Sequence, residues 1–143
     1  KPAVFAMEST DGASVFYVEN ATTNRPGPLW QLPIKPPGGI PVKLVDNVLA
    51  NSFDVIESGI YYLEEFPGDT RLQFYNFASR RSTTVASRLG SITPNISPVI
   101  AVTRDGRTIF FSRVDSATED LMLVEKFRWT TQRVYSQMPE GRP

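Results

Sequence analysis

A short phrase recurs along the chain and constrains its fold more than any other feature. Asp11-Gly12 precedes Val15-Phe16-Tyr17, Ser58-Gly59 precedes Ile60-Tyr61-Tyr62, and Asp105-Gly106 precedes Ile109-Phe110-Phe111. From Tyr17 to Tyr62 is 45 residues, and from Tyr62 to Phe111 is 49. Asp-Gly supplies the positive φ of a tight hairpin, and the aromatic and β-branched run behind it suits a strand. Self-similarity at this period predicts stacked units, each too small to bury its own faces alone.

Each unit reads as four strands. The first gives Ala3–Glu8, Ser14–Glu19, Leu29–Ile34 and Pro41–Val45. The second gives Phe53–Ile56, Gly59–Glu64, Leu72–Phe77 and Ser82–Ala86. The third gives Val99–Thr103, Thr108–Arg113, Leu121–Lys126 and Thr131–Tyr135. The gaps agree between units. Ile34 to Val42, Phe77 to Val85 and Phe127 to Tyr135 are each 8 residues, and Tyr62 to Leu72 and Phe111 to Leu121 are each 10. Pro36-Pro37-Gly38-Gly39 and Pro67-Gly68-Asp69 break the ladder where turns are needed. The expectation is an all-β fold, a β-propeller segment of three four-stranded antiparallel blades at about residues 1–46, 47–91 and 92–136. Asn47-Val48-Leu49 reads as the first linker and residues 137–143 as a tail.

The composition narrows the chemistry. The 143 residues contain no Cys and no His, so the commonest nucleophile–base pairs and the commonest soft-metal ligands are missing. Fifteen Lys and Arg balance fifteen Asp and Glu, so no net field draws the chain to nucleic acid or an anionic membrane. No apolar run approaches the roughly 20 residues of a spanning helix. The chain, which begins at Lys1, reads as part of something longer.

Ala101-Val102-Thr103-Arg104-Asp105-Gly106-Arg107-Thr108-Ile109-Phe110-Phe111-Ser112 resembles the repeat of TolB-like β-propellers, as does Leu29-Trp30-Gln31-Leu32 leading through Gly38-Gly39 to Ile40-Pro41-Val42-Lys43-Leu44. Thr10 and Arg104 stand where that repeat prefers Pro, and the middle copy lacks the Asp. The resemblance implies a non-enzymatic binding or sensor module in a bacterial protein, such as the C-terminal part of a transcription regulator. The alternatives to that reading are an accessory propeller of a prolyl-oligopeptidase-like peptidase and a TolB-type envelope scaffold, with the periplasm slightly ahead of the cytoplasm. No catalytic residue, cofactor or metal is expected, and no binding of nucleic acid by this segment.

Asp11 and Asp105 read as turn formers, the aromatic pairs as packing between blades, and Glu64-Glu65 and Glu119-Asp120 as solvated loops. The sequons at Asn20 and Asn95 read as chance matches. In a propeller the first and third turns of each blade share one face. That face would carry Lys35, Arg80, Arg81, Arg104, Arg107 and Arg128 against Asp11 and Asp105. The opposite loops hold Glu19, Glu64, Glu65, Asp69, Asp115, Glu119 and Asp120 against Arg25, Arg71 and Arg113. A partner-binding basic face at Arg80, Arg81, Arg104, Arg107 and Arg128 is therefore expected. Propellers have roughly 4–8 blades, so three cannot close a ring alone: either the chain is the C-terminal part of a longer propeller, or its open edges invite self-association into a homodimer.

Overall fold

The computed structural model describes residues 3–19, 25–90 and 100–112. Those residues form ten antiparallel strands and no helix. The first sheet is a meander of β1 (Ala3–Glu8), β2 (Ser14–Glu19), β3 (Gly27–Pro33) and β4 (Val42–Val48). The second is another, of β5 (Phe53–Ile56), β6 (Gly59–Phe66), β7 (Asp69–Asn76) and β8 (Arg81–Ala86). A pair follows, β9 (Ile100–Val102) and β10 (Ile109–Phe111). The strands expected at residues 121–126 and 131–135, and the tail, lie outside the described residues.

Strands β1, β2 and β5 match their expected bounds. β4 does not stop at Val45. It runs on to Val48, because a bulge opposite Gly27–Leu29 lets Val48 pair with Gly27 and bury completely. Asn47 and Val48 are thus strand, and the linker begins at Leu49. That linker is buried and stitched to β6: Leu49 N–H donates to the Leu63 carbonyl at 3.0 Å, and Leu63 N–H to that of Ser52 at 2.9 Å.

Ser58-Gly59 corrects the reading of the repeated phrase. β5 and β6 are joined by only two residues, Glu57 and Ser58, and Gly59 already pairs within the sheet opposite Ile56 and Asn76. Its glycine serves close packing: a Cβ there would lie 2.2 Å from the Tyr75 carbonyl oxygen. The hairpin that the repeated phrase predicts is kept, but Gly59 sits in the strand and not at the turn.

Side chains alternate between sheet faces with period two, and this decides how the units meet. Phe16, Val18 and Leu29 form one face of the first sheet. They pack on Phe53, Val55, Ile60, Tyr62 and Tyr75 of the second. Phe16 stacks on Phe77 with ring centroids 5.5 Å apart, and Phe5 meets Phe53 edge-on at 5.3 Å. The far face of the second sheet, with Leu63 and Leu72, packs on Ile100, Val102 and Ile109 of the third unit. Fully burying one such side chain contributes about 1.5–3 kcal/mol. The first strands β1, β5 and β9 lie side by side, so successive units are stacked in one sense.

Candidate functional site

The Asp-Gly turns are built alike at both ends of the chain. Ser9 donates its hydroxyl to Asp11 Oδ1 at 2.6 Å and accepts the N–H of Ser14 at 2.9 Å. Asp11 Oδ1 also accepts the N–H of Ala13 at 2.9 Å. Thr103, Asp105, Arg107 and Thr108 repeat the arrangement, with Thr103 Oγ1 2.6 Å from Asp105 Oδ1 and Asp105 accepting the N–H of Arg107 at 3.1 Å. Gly12 and Gly106 take the positive φ, 64° and 68°. The hydroxyl bond first, then the backbone bond, holds each Asp below the usual carboxylate value. Their recurrence therefore has a structural cause, as the sequence suggested.

These turns frame two adjoining clefts on one side of the molecule. The first, of about 560 Å³, lies between the first and second units, over Phe16, Tyr75 and Phe77, with Lys43, Glu57 and Arg80 among its lining residues. The second, of about 700 Å³, is lined by Asp54, Val55 and Val102 together with Arg104. Thr10, Asp11, Ile56 and Glu57 belong to both, so the clefts form one groove.

Of the residues expected on a basic face, Arg80 lines the first cleft and Arg104 the second. Arg107 is exposed in the Arg104 turn, and Arg81 is exposed at the start of β8. Arg128 lies outside the described residues. The structure also places Glu57 and Asp54 in the groove, which the sequence reading did not select. Lys43 pairs with Asp46, and both oxygens of Asp54 are engaged, Oδ1 by the N–H of Val55 at 2.8 Å and Oδ2 by that of Val102 at 2.6 Å. An Asp inside the apolar run Phe53-Asp54-Val55-Ile56 was the available signal for Asp54. Glu57 carried none.

On the other side, the carboxylates expected to form an acidic face are largely occupied. Glu19 is 3% exposed. Glu64 accepts from Gln73 at 3.2 Å. Asp69 holds Arg71 Nε at 3.0 Å and the N–H of Arg88 at 2.7 Å, and the Arg71 guanidinium lies 4.0 Å from the centre of the Phe66 ring. Glu65 is exposed, while Asp115, Glu119 and Asp120 lie outside the described residues.

Among the described residues, no cluster of three or more carboxylates is placed to hold a metal ion, and no helix is long and apolar enough to cross a membrane. Comparison with known proteins returns no matching family model, no matching curated protein and no matching solved structure.

Proposed function

We propose that the chain is a β-propeller segment of TolB-like type that works as a binding module, presenting the groove on its hairpin side to a ligand or a protein partner. The supporting observation is that groove. It is walled by turns from successive units, its first cleft is floored by aromatic rings and its second by aliphatic side chains, and it mixes Arg80 and Arg104 with Glu57. Concave sites with an apolar floor and a few convergent polar groups are the usual geometry of small-ligand binding. A sensor role in a bacterial regulatory protein is the biological setting consistent with the repeat resemblance.

A fragment screen followed by amide NMR tests this. Hits should perturb the amides of Ser9–Ser14, Ile56, Glu57 and Arg104. Perturbations confined to the opposite side, around Glu65 and Gly68, would overturn the proposal, as would an absence of hits.

A further inference from the structure

The first cleft is built from the first two sheets and their turns alone. Its floor is the stacked pair Phe16 and Phe77, with Tyr75 edge-on to Phe77 at 6.3 Å between ring centroids. The charges on its rim differ in how far they are engaged. Lys43 is paired with Asp46, and Asp11 Oδ1 already accepts the Ser9 hydroxyl and the Ala13 N–H. Glu57 and Arg80 are exposed, line the cleft, and form no ion pair with each other or with another described residue. Their backbones are fixed separately. Glu57 lies in the two-residue turn between β5 and β6. Arg80 closes the turn before β8 with φ of 53°, its N–H on the Asn76 carbonyl at 2.8 Å. Phe77 N–H donates to the Ser58 carbonyl at 3.1 Å, which ties the two turns together.

An anion and a cation thus stand on one rim, over aromatic rings, without neutralising each other. We propose that the first cleft takes a small zwitterion with an apolar side chain, the chemistry shared by free apolar amino acids and short apolar peptides. The α-carboxylate meets the Arg80 guanidinium, whose planar fork fits a carboxylate. The α-ammonium meets the Glu57 carboxylate, and the apolar side chain lies on the Phe16 and Phe77 rings. A purely acidic ligand would face Glu57 and a purely basic one Arg80, so the rim disfavours both. The volume of about 560 Å³ falls within the range of small-ligand sites. The inference rests on the groove being a binding site and names what it binds.

Titration calorimetry on the full chain with leucine and with trileucine tests it. At least one should bind, and the tighter of the two gives the length of the ligand. Acetylating its amine or amidating its carboxylate should each weaken binding about fivefold, the upper range for ion pairs open to solvent. Arg80→Gln should weaken the zwitterion by the same factor and leave the amidated form unaffected. Glu57→Gln should do likewise with the acetylated form. Triglycine, with no side chain for the floor, should bind about tenfold more weakly than trileucine. Both substituted residues are exposed, and melting checks that the variants fold. Capped forms that bind as well as the zwitterion overturn the proposal, and so does binding indifferent to both substitutions. Amide NMR separates this failure from that of the groove. If neither leucine nor trileucine binds while neutral or singly charged fragments still shift Ile56 and Glu57, the ligand class is wrong and the groove stands. If nothing shifts them, the groove reading fails as well.

Discussion

Asp54 and Val102, 48 residues apart in sequence, are joined by a hydrogen bond of 2.6 Å from the Val102 N–H to Asp54 Oδ2. Because Asp54 is on β5 and Val102 on β9, this bond ties the first strands of two successive units. It fixes their mutual height along the stack, which apolar packing by itself leaves free to slide. The same carboxylate caps its own neighbour, Val55. One side chain thus bonds within its own strand and holds the next unit, at the wall of the second cleft.

Replacing Asp54 by Ala leaves the partly buried N–H of Val102 without its acceptor. The expected cost is about 1–3 kcal/mol, since an unsatisfied buried donor forfeits its hydration as well as its bond. Asp54→Asn should cost less, because its amide oxygen keeps one acceptor. Urea unfolding measures both, and equal costs for the two variants would count against the carboxylate geometry.

The turns of the first and third units predict an acid dependence. Asp11 and Asp105 are held below their ordinary value of 3.8, first by the Ser9 and Thr103 hydroxyls and then by backbone N–H groups. With folded values depressed, the stabilisation is complete above the unfolded value and disappears as pH falls from about 4 through the folded values. Carbon NMR titration of the carboxyls should show both midpoints below 3.8. Ser9→Ala should move Asp11 upward and leave Asp105 in place. An unmoved Asp11 would exclude the hydroxyl as the main cause.

What could be read from the sequence was what local chemistry decides. The Asp-Gly turns and the bounds of β1, β2 and β5 follow from turn residues and alternation, which act over a few residues. The hairpin at Ser58-Gly59 is legible, but the role of Gly59 is not, because a glycine in a strand and a glycine in a turn look alike in sequence, and only the closeness of the Tyr75 carbonyl separates them. The groove was half legible. Arg80 and Arg104 could be assigned to the hairpin side from turn order. The roles of Asp54, Glu19 and Asp69 depend on partners that only the folded chain brings near. Charge counting treats such residues as solvated, whereas Asp69 is spent on Arg71 and Arg88.

Gly59→Ala gives a direct test of that distinction. The added Cβ would meet the Tyr75 carbonyl and the Phe74 ring at 2.2 and 2.7 Å. Both belong to β7, which is held in the sheet centre and cannot step aside. Overpacking of this kind costs about 1–3 kcal/mol. If Gly59 were a turn residue kept for φ alone, crystals of the variant would show β6 and β7 unmoved. The close approach instead predicts a displaced Phe74 and a lower melting temperature.

The stacked pair Phe16–Phe77 makes the coupling between units measurable. The rings are nearly parallel, with an interplanar angle of 14°, and Phe16 is almost fully buried. Leucine at either position keeps most of the apolar volume and removes the ring–ring term. A double-mutant cycle with Phe16→Leu and Phe77→Leu isolates that term, provided each single variant adds no new interaction. The expected coupling is about 0.5–1.5 kcal/mol, the amount aromatic pairs contribute beyond area burial. Because Phe16 belongs to the first unit and Phe77 follows β7 of the second, a coupling of this size, together with a single unfolding transition, means that each sheet supports the other. Strictly additive single effects, or two separate unfolding transitions, would show instead that the sheets are independent and that the first cleft has no fixed floor.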